Sequence, residues 1–368
     1  PAPQIPRPRA APRIGHPRGA RPARFRGTTP GMSRTDRLLA DLERGFAALD
    51  EGRLDAAAST VERCLRIDRK HPDVIALAAA VADASGDAEA ALGHYRALVE
   101  LRPDEAMPRI CVARIQLGDE ADPDAALDTL EGAFELIDDE DDLVEAIYIK
   151  AQALLARDEP EAARAALGEL ASSVIEEPDL ALDLAELALA AEDADAAKRW
   201  IATAMTDDEL RADALHALGR AHELAGDRAA MIATWQEVRA LDRAAPPGPL
   251  TVSEDEVERI AAGALDELRA EIRDHLRRVP ILIDDAPSEA LVADGVDPRL
   301  LGLFQGTPMP EDGALAPTVT HILLFRGNLA RSCADAEHLA AEIRITVLHE
   351  TAHYFGLDEE DLAELGLD

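Results

Sequence analysis

"GDAEAALGHYRALV", residues 86–99, decides the fold, because variants of it recur along most of the chain. The related stretches are "GRLDAAASTVERCL" (52–65), "DPDAALDTLEGAFEL" (122–136), "DEPEAARAALGEL" (158–170), "EDADAAKRWIATAM" (192–205) and "GDRAAMIATWQEVRAL" (226–241). Aligning the second alanine of each pair, Ala57, Ala91, Ala126, Ala163, Ala197 and Ala230, gives spacings of 34, 35, 37, 34 and 33 residues. A unit of that length, built from two amphipathic helices, cannot hide its apolar faces alone, so neighbours have to stack into a continuous core. The small alanine lets the paired helices approach, and the short "GD" or "DE" turn lets the chain reverse.

These stretches resemble tetratricopeptide repeats. The resemblance is carried by the glycine-acidic turn, the alanine five positions later, a large residue such as Tyr95 or Trp235 beyond it, and Pro103 at a repeat end. Where that family shows Trp or Tyr early in the first helix, this chain mostly has Leu or Ala, so the repeats are degenerate, and another kind of helical hairpin array is the alternative. The resemblance implies an α-solenoid over residues 34–245 that binds a protein partner.

Composition agrees with a mainly helical chain. At 368 residues there is room for two or three domains, and aromatic content of 3% beside 47% apolar residues suits cores of Ala and Leu packed between helices. A formal net charge of -35 argues against nucleic-acid binding, which needs clustered Lys and Arg on phosphates. Cys64, Cys111 and Cys333 lie far apart with no CxxC pair, which fits core residues in a reducing compartment and offers no thiolate cluster. With no apolar run of about 18 residues and no charged-then-apolar leader, no membrane partner is expected and the cytoplasm is the expected location.

Residues 1–33 are rich in Pro and Arg, and no Asp or Glu precedes Asp36. Such a segment buries too little apolar surface to fold and is expected to be a disordered basic tail, or, with Met32 as the start, residues 1–31 are expected not to be translated. The acidic run Asp138–Asp142 lacks the spaced ligands and glycine of a calcium loop and reads as a solvated loop between helices that starts the next helix at Leu143.

"RAAPPGPLTVSEDEVERI" (243–260) interrupts the repeats: its prolines cannot continue a helix, and Ser253 with Glu256 forms a capping-box pattern that starts a new one. Residues 246–252 are therefore read as a linker and 253–368 as a separate domain. After the helix that follows, "VPILIDD" (279–285) and "THILLFRG" (320–327) read as strands, while "LGLFQGTPMPEDGALAP" (301–317) reads as loop, an α+β plan. The strand over 320–326 is expected to flank a cleft and pair with an extended peptide.

A last helix is predicted from Ala334 or Asp335 to Phe355, with Gly356 as its terminator, and it carries "VLHETAHYFGLDEE" (347–360). His349 and His353 are one turn apart on one face, so both imidazoles can reach one ion. Glu350 sits about 100° around the axis, placed to act as a base on water without itself ligating. Counting onward gives H-E-x-x-H-x-x-G-x-x-E, with Glu359 at the third-ligand position and Asp358 the alternative one residue away. His321 and His338 read as a strand-end and a surface histidine outside the site.

This C-terminal region resembles a family of small bacterial zincin-like metallopeptidases. The residues that carry the resemblance are "LLGLFQGTP" (300–308), "ILLFRGNL" (322–329) and "LAAEIRITVLHETAHYFGLDEEDLAELG" (339–366). It implies a compact zincin fold, Zn2+ at His349 and His353 with an acidic third ligand, Glu350 as general base, and a peptide or protein substrate. The competing expectation is a protein-binding scaffold whose zinc site is structural or vestigial.

Overall fold

The structure is a computed structural model that describes residues 33–246, 248, 250–266, 268, 279–305 and 321–354, with His353 and Tyr354 in backbone only. These residues fall into two compact units, one of residues 33–174 and 186–196, the other of 175–185 and the described residues from 197 onward.

Helices α1 (Arg34–Asp50) and α2 (Leu54–Ile67), α3 (Pro72–Ala84) and α4 (Ala88–Leu101), α5 (Met107–Gly118) and α6 (Pro123–Phe134), and α7 (Glu140–Ala156) and α8 (Pro160–Gly168) form successive hairpins. Each hairpin packs on the next through α2 on α3, α4 on α5 and α6 on α7. The run continues with α9 (Pro178–Ala190) and α10 (Ala194–Ala204), then α11 (Arg211–Leu224) and α12 (Arg228–Ala244). The expected class is the one observed, mainly α, with tetratricopeptide-like hairpins followed by a small α+β region.

The period has a local cause. Before the second helix of each hairpin one residue adopts the left-handed conformation: Gly52, Gly86, Ala121, Asp158, Glu192 and Gly226, with φ of 69, 75, 50, 59, 56 and 72°. The residue after it caps the helix, and Asp87, Asp122 and Asp227 accept the N–H three positions on through their carboxylates. Four positions beyond the cap, Ala57, Ala91, Ala126, Ala163 and Ala197 are 0% exposed, small side chains closely packed in the core. The sixth alanine departs from this register. Counting four from Asp227 reaches Met231, which is 3% exposed, while Ala230 is half-buried. The capping position, not the alanine pair, sets the register, so the last unit is aligned one residue later than the alanines suggest. Gly219 supplies the missing space instead, since a Cβ there would collide with the Trp235 indole. The acidic run, expected to stay loop as far as Leu143, enters the helix earlier: α7 begins at Glu140 because Asp139 caps it by accepting the Asp142 N–H at 2.9 Å.

In the second unit α13 (Glu254–Asp266) is followed by β1 (Ile281–Asp284), α14 (Glu289–Ala293), β2 (Gly302–Gln305), β3 (His321–Phe325), α15 (Arg326–Ser332) and α16 (Ala336–Tyr354). The sheet order is β1-β3-β2, with β3 parallel to β1 and antiparallel to β2. Two expectations are corrected. Residues 302–305, read as loop, form a strand. And β3, expected to receive a peptide, has both hydrogen-bonding edges taken by its neighbours, so it cannot pair with one. Its position explains its sequence: a central strand covered on both faces is apolar throughout, and Ile322 to Phe325 are all buried. The core joins Val257, Ala261 and Ala264 of α13 to Ile322 and Leu324 of β3 and to Leu339, Ile343 and Val347 of α16.

No helix among the described residues is long and apolar enough to cross a membrane.

Candidate metal centre

Helix α16 is fixed at its start by Asp335, whose carboxylate accepts the N–H groups of Glu337 and His338 at 3.0 and 2.9 Å. From there Leu339, Ile343 and Val347, spaced by one turn, bury one stripe in the core. Thr346 and Glu350 continue the stripe toward β2 and are 6% and 7% exposed. A buried carboxyl group requires a donor, and here the backbone N–H of Phe304 donates to Glu350 Oε2 at 2.6 Å.

The geometry of β2 makes that donor available. Phe325 N–H donates to Leu301 O at 2.9 Å and the register pairs Phe304 with Ile322. Alternation along an antiparallel pair then turns the Phe304 N–H away from β3. Gly302 lets the helix come this close: a Cβ there would lie 2.5 Å from Thr346 Cγ2, 3.0 Å from Glu350 Cγ and 3.2 Å from Glu350 Oε1. Gly302 and Phe304 fall in "LLGLFQGTP", one of the stretches that carries the resemblance, but its pattern reads as loop and marks neither of them as part of the site.

His349 is half-buried on α16, and His353 follows one turn later on the same helix. Glu359, Asp358 and the Gly356 terminator lie outside the described residues, and among the described residues no three His, Cys, Asp or Glu side chains converge. Two imidazole positions one turn apart on an unbroken helix form a donor pair that suits zinc, and the buried, hydrogen-bonded Glu350 beside them is chemically consistent with that ion. The cysteines do not compete. All are free and buried, and burial pushes the Cys111 thiol up to about 12 and raises Cys64 and Cys333, so none is poised as a thiolate. His321 opens β3 opposite Gln305, and His338 accepts the Ala334 N–H through Nδ1 at 3.3 Å.

The stretch that leads into β2 is held residue by residue. Asp297 receives His216 Nε2 of α11 at 2.9 Å on both oxygens. Burial alone would raise the Asp297 carboxyl, but its hydrogen bond and charge interaction with His216, joined by the Arg299 N–H, hold it below the ordinary range. Arg299 donates to both oxygens of Asp242 on α12 at 2.9 and 3.1 Å and to Asp213 on α11 at 2.6 Å. Asn328 of α15, 5% exposed, donates to Pro298 O at 2.9 Å and to Leu300 O at 2.8 Å. Around this seam Val292 of α14 packs with Met231 and Trp235 of α12, and Arg239 donates to Pro287 O at 2.7 Å.

Solved structures align with part of the chain. PilW, a type IV pilus biogenesis factor, aligns at 16% identity over 55% of this chain and 93% of its own, with a TM-score of 0.46. A tetratricopeptide-repeat protein of Thermus thermophilus aligns at 22% identity over 49% of this chain and 98% of its own, with a TM-score of 0.42. One from Parabacteroides merdae aligns at 14% identity over 65% of this chain and 96% of its own, also at 0.42. No curated protein matches the chain. Residues 276–367, which carry β1 to α16 and the H-E-x-x-H sequence, match the model of the zincin-like metallopeptidase family.

Proposed function

We propose that the chain is a zinc-dependent peptidase attached to a helical-repeat scaffold that binds a protein partner, working in the cytoplasm on peptide or protein substrates. The observation that carries this reading is Glu350, a carboxylate next to the first of two histidines one turn apart, 7% exposed and bonded to the Phe304 N–H. In this reading His349 and His353 hold the ion together with Glu359, or with Asp358 beside it. Zinc, when bound, supplies a Lewis acid for the scissile carbonyl and for water. Glu350 takes the proton of the attacking water and passes it to the leaving amine, and the Phe304 N–H orients the carboxylate for that transfer. The buried surroundings of Glu350 favour this role, since a base screened from bulk solvent keeps its proton for the reaction.

The test is Glu350→Gln in the full chain, measuring zinc by elemental analysis and cleavage with a peptide library. Zinc content should match the wild type while turnover falls by roughly two to four orders of magnitude. Undiminished turnover would remove Glu350 from the mechanism. A folded, zinc-loaded wild type that cuts nothing would favour the other reading, a binding scaffold with a structural zinc site.

A further inference from the structure

We propose that Arg299 is a positioning residue for Glu350: clasped by Asp213 and Asp242 of the last repeat hairpin, it anchors the segment that delivers β2, and with it the Phe304 N–H, to the Glu350 carboxylate. The proposal rests on the reading of Glu350 as the base, and extends it by making α11 and α12 part of the machinery that holds that base.

The connection is short and continuous. From Asp297 to Leu301 the chain is gripped alternately from two sides. The side chains of Asp297 and Arg299 reach His216, Asp213 and Asp242 on the hairpin, while the carbonyls of Pro298, Leu300 and Leu301 are taken by Asn328 and by the Phe325 N–H. Gly302 follows at once, already against Thr346 and Glu350, and Phe304 is two residues further. Nothing between the Arg299 clasp and the Glu350 bond is free to absorb a shift, so a displaced Arg299 moves the donor of the 2.6 Å bond. Arg299 is suited to the task because its planar fork engages both Asp242 oxygens and still reaches Asp213. Removing it would leave two carboxylates at the seam with Arg331, 3.6 Å from Asp242, as the cation still beside them. Their repulsion would act between α11 and α12, and the segment would lose the Arg299 tie to both helices.

The test compares full-length wild type, Arg299→Ala, Arg299→Lys and Asp213→Asn. Amide hydrogen exchange is followed in the metal-free protein over residues 301–305, with α3 and α4 as internal reference, and kcat and KM are measured on the zinc-loaded protein. Arg299→Ala should exchange roughly tenfold faster over 301–305, with the reference helices unchanged. Its kcat should fall roughly tenfold at near-constant KM and zinc content, because the base is misplaced rather than the substrate site. Arg299→Lys should recover part of both losses, keeping the charge without the fork. If Arg299→Ala does not fold, Asp213→Asn, which removes only the more exposed arm, should show a smaller local increase. Unchanged exchange over 301–305 in a folded Arg299→Ala overturns the proposal, as does a change spread equally over α3 and α4. An inert wild type would sink the peptidase reading alone, since the exchange arm still reports whether Arg299 holds the Phe304 amide.

Discussion

Gly302 and the six left-handed turn residues are single positions at which backbone or space, rather than chemistry, dictates the residue. At Gly302 a methyl would press on Thr346 and Glu350 at 2.5 and 3.0 Å. Gly302→Ala is therefore expected to destabilise by about 1–3 kcal/mol, the usual size of an overpacking penalty. It should also lengthen the Phe304–Glu350 bond, visible as faster exchange of the Phe304 amide. The turn residues invite the opposite change. Ala121 holds φ of 50° with a Cβ that clashes there, at a strain of about 1–2 kcal/mol. Replacing it with glycine removes the strain but adds unfolded-state entropy of about 0.5–1 kcal/mol. Ala121→Gly is thus expected to gain up to about 1 kcal/mol, raising the melting temperature by a few degrees in a thermal scan. Asp158 should gain less, because aspartate tolerates this conformation better than alanine.

At the scale of elements, the hairpins were legible and β2 was not. A reversal residue followed by a capping position, acidic in every unit but the first, where it is Arg53, is a local signal that the repeats restate. Even there the alanine pair misled at the sixth unit, where Asp227 and Met231 carry the register. Strand β2 has four residues, begins with glycine and borders loop-forming sequence, so its identity comes from β3 beside it rather than from its own pattern. The site divides in the same way. His349, Glu350 and His353 are visible because helical spacing alone brings them together. Phe304, Arg299 and Asn328 are not, since their partners lie 46, 57 or 86, and 28 or 30 residues away. The seam between α11 and the segment before β2 also titrates in a defined direction. The folded Asp297 carboxyl lies below its unfolded value, so its contribution to stability is complete above that value and is lost as pH falls through the folded one. Exchange over residues 294–301 is expected to rise below about pH 4, and Asp297→Asn should flatten that acid-side rise.

For the whole chain, the described residues from 197 onward form one compact unit that includes α11 and α12 together with the sheet and α16. A fragment of residues 253–368 loses Asp213, His216 and Asp242, and exposes Val292, which is 0% exposed in the chain. It is expected to melt several degrees below a fragment of residues 206–368, by circular dichroism, since a buried apolar side chain contributes about 1.5–3 kcal/mol and the Arg299 clasp is lost as well. Equal melting temperatures would show that the hairpin adds nothing to the C-terminal fold. Because residues 297–301 are gripped by the hairpin on one side and lead to Glu350 on the other, the two ends are thermodynamically linked. Coupling between binding events is reciprocal. A ligand that seats on α11 or α12 and tightens the Arg299 clasp must be bound more tightly in turn, and by the same factor, once a substrate analogue engages Glu350.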